Sequence, residues 1–272
     1  MFKKELTQVI KRYRFWLVFL FFLSLMIVDI VLVYRYQFPG GEFINEYKKG
    51  DPDILNYILH PAAASFFAAA SRNRIAQLSL QWIFPLFFTF LIGDAYIYEK
   101  KNGYIRQILS RYSKRKWILS RYGSSFLLSF LVVFITTCIN FLLAYILFSK
   151  GLSFFSMQQH REEEEGFMRF MLYHPYATQW IYTLIFSLLA GLSGILSSAI
   201  SYIVPKLYVV YPIMLFVWFA LINWSEYPIL ALTQSYNTWE IKKLLVPGIT
   251  YLLITVVFAL IGYLYRGRVD EL

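Results

Sequence analysis

Glu99 to Arg121 reads EKKNGYIRQILSRYSKRKWILSR and lies between two strongly apolar runs. It carries eight of the chain's 26 Lys and Arg: Lys100, Lys101, Arg106, Arg111, Lys114, Arg115, Lys116 and Arg121. Ile105, Ile108, Leu109 and Tyr112 follow the i, i+3, i+4, i+7 spacing of one helix face. A basic amphipathic connector between two membrane spans suits a surface that docks a partner on the cytoplasmic side.

The rest of the chain supplies the spans. It has 272 residues, 58% hydrophobic and 15% charged, with a mean hydropathy of +0.52. A soluble domain would carry about 25% charge. Several apolar runs approach the roughly 20 residues needed to cross a bilayer. The chain therefore reads as an all-α, polytopic membrane protein of one transmembrane domain. Spans are expected at about 15–36, 78–98, 124–148, 179–204, 207–224 and 247–265. Residues 1–14 form a basic lead-in with Leu6, Val9, Ile10 and Tyr13 at helical spacing, suited to an amphipathic helix in the headgroup layer. The connectors 37–77 and 149–178 are expected outside. His60-Pro61 interrupts the apolar stretch 54–70, which reads as an external helix or a partly dipped segment. Residues 225–246 could dip back toward the membrane.

Charge sets the orientation. With both termini cytoplasmic, 16 of the 26 basic residues fall inside, concentrated in the short 99–121 loop where the positive-inside rule has force. The same distribution explains the net charge of +10 without nucleic acid. Six spans with cytoplasmic N- and C-termini is the expected topology. Asp29 lies inside the first span, where a carboxylate must face protein, water or the outer headgroups, and Arg35 is its nearest sequence partner. Thr136, Thr137 and Asn140 could hydrogen-bond between helices, and Pro85 should kink the second span. Ala190, Gly191, Gly194 and Ser198 make a small-residue face that lets another helix approach closely.

Chemistry-bearing motifs are few. There is no GxxxxGK[ST] phosphate loop, so any ATP site is on another chain. The single cysteine, Cys138, allows no internal disulfide. No metal-ligand spacing is visible. Glu164, Glu165, Arg169, Phe170 and His174 are similar, piecewise, to the motifs of the CAAX-protease family of intramembrane proteases. Here, however, the acids sit in a run of four glutamates and the two pieces are fused. His60 and His160 are the other histidines.

The 99–121 stretch resembles the intracellular connector of the type-2 permeases of ATP-binding-cassette exporters. The resemblance rests on Glu99, Gly103, Leu109, Ser110, Arg111 and Arg115: an acid ending the second span, a glycine, a Leu-Ser-Arg segment and a later arginine. The six-span plan fits as well. Tyr104, Tyr112 and Arg121 depart from the residues common at those places. The resemblance implies a membrane-spanning permease with no cofactor of its own. It would pair with a second permease chain, identical or paralogous. It would also bind cytosolic ATPase subunits that carry ATP and Mg. Glu99, Gly103, Ile105, Arg106, Ile108, Leu109, Arg111, Tyr112 and Arg115 would form the docking and coupling element, with the 105–116 helix seated in a cleft of the ATPase. A multi-pass protein of a prokaryotic plasma membrane, in contact with lipid, would export an amphipathic substrate such as a peptide, toxin or antimicrobial. The alternative is a stand-alone membrane protein, a CAAX-protease-like hydrolase or an immunity factor.

Overall fold

The computed structural model describes residues 2–37, 58–68, 75–103, 105, 109–154, 166–236 and 240–268. Among these every named element is helical, with two isolated β-bridges. Helix α1 spans Phe2–Ile10 and α2 Tyr13–Gln37. A short α3 covers Pro61–Ala64, and α4 runs Ile75–Phe88. A π turn, Thr89–Gly93, leads into α5, Ala95–Lys101. Then come α6 (Lys114–Leu147), α7 (Gly166–Tyr173), α8 (Pro175–Ile203), α9 (Leu207–Ile222) and α10 (Ile241–Arg268).

Among the described residues five stretches are long and apolar enough to cross a membrane: Tyr13–Arg35, Gln77–Lys101, Lys114–Leu147, Pro175–Ile203 and Ile241–Gly267. Helix α9 is as apolar but has 16 residues. At 1.5 Å per residue it is about 24 Å long, short of the roughly 30 Å of a hydrocarbon core. The architecture is that of a polytopic membrane protein, built from five such helices and one shorter helix. Helix α6 starts ten residues before the expected third span. Its 34 residues measure about 51 Å, so its basic first two turns overhang any bilayer its apolar part crosses.

Helix α8 is the centre, packed along α6 and α10 and touching α4 and the π turn. It can sit there because its interior face is small: Gly191, Gly194, Ser197 and Ser198 are among its residues facing neighbours. A Cβ on Gly194 would stand 2.6 Å from the Ser125 carbonyl oxygen and 2.5 Å from Ser129 Oγ, both on α6. Ser125 and Ser198 then share a 2.8 Å hydrogen bond across the same seam. Ala190, Gly191, Gly194 and Ser198 thus serve close packing within the chain. Fully buried rings fill the middle of the bundle. Phe84 stacks on Phe186 at 4.5 Å and lies 5.5 Å from Trp218, while Phe66, Phe67 and Phe88 pack around them.

Pro85 does more than kink α4. A proline has no N–H, so the carbonyl of Gln81 loses its helical donor. The indole N–H of Trp218 donates to that carbonyl instead, at 2.8 Å. One turn later the helix widens into the π turn, and Thr89 Oγ1 donates to the Pro85 carbonyl at 3.0 Å.

Residues 58–68 are drawn into the core. Pro61 to Ala68 are all buried, so the short helix expected in this segment is packed among the long helices. His60-Pro61 is a helix start: His60 Nδ1 accepts from the Ala62 N–H and caps α3. The backbone is accommodated by side chains from the long helices. Asn140 Oδ1 accepts from the Phe66 N–H at 2.8 Å, and Asn140 Nδ2 donates to the Met26 carbonyl at 2.9 Å. Ser65 donates to Gln179 Oε1, and the Ser235 N–H donates to the Phe67 carbonyl. Thr136 and Thr137, by contrast, donate to carbonyls of their own helix, one turn back. Asn140→Leu strands the buried Phe66 N–H. It is expected to cost about 1–3 kcal/mol, read as a lower melting temperature of the detergent-solubilised protein. An unchanged melting temperature would show that the segment is held by its apolar contacts alone.

Within 225–246, Ile229–Thr233 forms a buried 3₁₀ turn packed on α8, α9 and α10, and α10 begins at Ile241. Asp29 is fully buried on α2, while Arg35 is exposed.

Candidate functional site

The feet of α1, α2, α5 and α6 meet at one end of the bundle, and the polar residues there are organised around Arg121. Helix α1 is amphipathic, but its buried residues are Glu5 and Val9. Val9 and the half-buried Leu6 pack on the core, whereas Ile10 and Tyr13, assigned to the same stripe, are exposed. The helix lies on α6 with the Phe2 ring beside Gly123, which brings the Glu5 carboxylate to Arg121.

Arg121 spreads its fork between two acids from different parts of the chain. Its Nη1 donates to Glu5 Oε2, and its Nη2 donates to Glu99 Oε1 at 3.1 Å. Glu99 Oε1 also accepts from Arg12 Nη2 at 3.2 Å, on the turn joining α1 to α2. Arg121 and Glu5 are each 3% exposed. Beside this cluster Arg14 Nη1 donates to Asp94 Oδ2, tying the foot of α2 to the end of the π turn. Two acids thus balance two arginines at the centre, and Asp94, the remaining acid of this end among the described residues, is matched by a third.

An aromatic shell closes the cluster. The Tyr202 ring lies 4.9 Å from Tyr96, 5.7 Å from Trp117 and 5.6 Å from Tyr122. Arg266 of α10 places its guanidinium 4.4 Å from the Tyr96 ring centre, a cation–π contact from a buried arginine. Ile105, Ile118 and Ala199 complete the shell, with Leu109 half-buried against it. Excluding water strengthens the Coulombic attraction inside. It also makes each ion costly if its partner is lost.

The connector residues separate into two groups. Glu99, Ile105 and Leu109 turn inward, into the cluster and its shell. Gly103 adopts φ +69° with open space around it, a left-handed turn that ends α5 and suits glycine. Arg111, Tyr112 and Arg115 are exposed. Arg106 and Ile108 lie outside the described residues. The expected single helix over 105–116 is interrupted: residues 110–112 are turn and bend, and Ser113 is the N-cap of α6, whose first residues are Lys114, Arg115 and Lys116. The apolar stripe is therefore used at Ile105 and Leu109 to pack on the chain itself. Among the described residues the charges that remain outside are all cationic, with Tyr112 and Leu119 exposed beside them.

That face has no exposed acid among the described residues of 1–14 and 94–121. Glu5, Asp94 and Glu99 are engaged with arginines, while Lys3, Lys4, Lys11, Lys100, Lys101, Arg111, Arg115 and Lys116 are exposed.

The sequence reading singled out Glu99 but not Glu5, Arg12, Arg14, Arg121 or Arg266 as its companions. The available signal was the rarity of acids: each one on a side so rich in cations is a candidate for a buried pair. Of the hydrolase residues, Arg169, Phe170 and His174 are described, and Glu164 and Glu165 are not. His174 is an exposed residue at the start of α8, and His60 is a helix cap stacked on Phe154 at 4.6 Å. His160 and Glu162 to Glu165 lie outside the described residues. Among the described residues no group of three His, Cys, Asp or Glu could hold a metal ion.

A family model described as a protein of unknown function, DUF2705, matches residues 43–270. The chain is 31% identical over 169 residues to the uncharacterized protein YybM of Bacillus subtilis (strain 168), an alignment spanning 62% of this chain and 67% of that protein. No solved structure matches the chain.

Proposed function

The chain belongs to the DUF2705 family of proteins of unknown function, and we propose that this member is the membrane-spanning permease subunit of an ATP-binding-cassette exporter. In this reading it crosses the membrane six times, with α9 as the short fifth span and both termini in the cytoplasm. The basic end is the cytoplasmic end, and a partner ATPase docks there. The observation that carries the reading is the division of the described part of the 99–121 connector into an anchored inner side and an outer side that is rich in cations and has no exposed acid.

Such a division suits a coupling element. Force applied to the outer residues reaches α5 through Glu99, α6 through Arg121, α2 through Arg12 and α1 through Glu5. The connector therefore moves with four helix feet at once. Docking is electrostatic: Arg111, Arg115 and Lys116 steer an acidic surface of the ATPase, with Tyr112 as the exposed ring among them. This replaces the picture of an apolar stripe inserted in a groove. The exported molecule is amphipathic, with peptides, toxins and antimicrobials foremost.

Purification of the tagged chain from its native membrane in mild detergent tests the assignment. An ATPase bearing a phosphate-binding loop is expected to copurify. Arg111→Glu with Arg115→Glu should reduce its recovery about tenfold or more while leaving the melting temperature of the permease unchanged, since both side chains are exposed. Recovery of a folded, active chain with no ATPase bound would overturn the proposal.

A further inference from the structure

The buried 58–68 segment begins on a histidine whose ring supplies a hydrogen bond that the backbone cannot. Pro61 and Ala62 are the first residues of α3, and the Ala62 N–H is one of the donors that a helix start leaves without a carbonyl. Ala62 is fully buried, so water does not serve it. His60 Nδ1 accepts from it at 3.2 Å. An amide N–H can only donate, so Nδ1 presents its lone pair and the ring proton of the neutral imidazole sits on Nε2. A proton added at Nδ1 turns that acceptor into a second donor aimed at the first.

The ring is held in place by its neighbours. It stacks on Phe154 at 4.6 Å and 24°, and the Tyr176 ring lies 5.2 Å away. Aromatic faces attract a cation, so an imidazolium stays where it is and the chain beside it yields. The backbone on either side is anchored separately. Before the ring, the His60 N–H donates to the Ser153 carbonyl and the Ser153 N–H to the Ile58 carbonyl, both at 2.8 Å. After α3, Asn140 holds the Phe66 N–H and the Ser235 N–H holds the Phe67 carbonyl. The turn that a lost cap weakens is therefore Pro61–Ala64, closed by Ala64 N–H to the His60 carbonyl and Ser65 N–H to the Pro61 carbonyl. Of the two rings on His60 only Tyr176 titrates, and Tyr145 and Tyr236 lie beyond them. Phenols do so at about 10, far above an imidazole. His174 and Lys150, on the elements that carry these rings, are exposed.

We infer that His60 is a proton-operated latch: uptake of one proton from solvent at Nδ1 breaks the Ala62 N–H···Nδ1 bond and opens the first turn of the buried segment. The ring is half-buried, within reach of solvent protons. The closed latch keeps Nδ1 unprotonated, whereas the open one lets the imidazole titrate at its ordinary value of about 6.5. The open state therefore binds more protons and is favoured by acid. The latch is closed above about pH 7 and loosens as the pH falls below about 6. Asn or Asp would cap the same turn without titrating in that range, so histidine is what makes the cap respond. Neither a transported molecule nor an ATPase enters into it.

Hydrogen exchange of the full chain in mild detergent tests it, resolved to single amides and expressed as protection factors at about pH 8 and about pH 5.5, either side of the imidazole range. Protection of the Ala62, Ala64 and Ser65 amides should fall about tenfold or more at the lower pH, the scale of a stranded buried donor. The Phe66 amide on Asn140 and the Ser235 amide on the Phe67 carbonyl should keep theirs, which separates the latch from general acid unfolding. His60→Asn and His60→Asp each keep an acceptor at both pH values and should abolish the step. His60→Ala should show the low protection already at the higher pH. His160→Asn and His174→Asn should leave the step intact. Equal protection of α3 at the two pH values in the parent chain, an equal loss at Phe66 and Ser235, or a step that survives in His60→Asn or His60→Asp would overturn the inference.

Discussion

Arg121→Ala is expected to destabilise the protein by about 3–5 kcal/mol, the largest effect of any single substitution at the basic end. The size follows from what is left behind. Glu5 loses its buried partner altogether, and Glu99 keeps only Arg12. Neither carboxylate can reach water without α1 leaving α6. The expected readout is low membrane abundance and a melting temperature several degrees down. Arg121→Lys keeps the charge but not the fork that reaches two acids in two directions, so an intermediate loss is expected. The decisive comparison is Arg121→Met combined with Glu5→Gln, which removes the charge and its dedicated partner together. Substantial recovery relative to Arg121→Ala is expected, because the stranded Glu5 charge, more than the absent bond, sets the cost. If Arg121→Ala alone behaves like the parent protein, α1 is not docked through this cluster.

Gly194→Val should follow closely, at about 3 kcal/mol. The neighbours are unforgiving: one is the Ser125 carbonyl oxygen of α6, a backbone atom 2.6 Å from where a Cβ would stand. Helices α6 and α8 must separate, breaking the Ser125–Ser198 hydrogen bond on the way. Gly191→Ala is the control. Its nearest contact at 2.5 Å is the ring of Phe126, a half-buried side chain with room to shift, so the loss should be smaller. Equal melting temperatures for Gly194→Val and the parent would mean that this seam is loose.

The long helices were legible because their apolar runs match membrane thickness and because little else in the sequence competes with helix there. Their ends were less so. Hydropathy marks where a helix could contact lipid, whereas α6 continues through Lys114 to Gly123 because none of those polar residues breaks a helix and Trp117 and Ile118 have a shell to bury in. The small-residue face of α8 was readable from a spacing of four. The polar cluster was not: Glu5 and Arg121 are 116 residues apart, and only the fold makes them neighbours. The 58–68 segment was legible only in part for a related reason. Its apolar residues were visible, but its burial depends on Asn140, Gln179 and Ser235, which accommodate an irregular backbone among helices. The connector was half legible: its charge predicted the exposed residues, while the use of Ile105 and Leu109 against the chain's own Trp117 shell depends on tertiary contacts.

The ring-filled middle of the bundle bears on stoichiometry. Phe66, Phe67, Phe84, Phe88, Phe186 and Trp218 occupy the axis along which a pore through one copy would run, and each is fully buried. Opening such a pore would mean unstacking several of these rings and unseating the 58–68 segment, a cost no docking event of a few kcal/mol could meet. In the proposed exporter a conduit would then be an intermolecular object, walled by the outer faces of paired copies. An inactive copy in such a pair would be expected to disable its neighbour as well as itself.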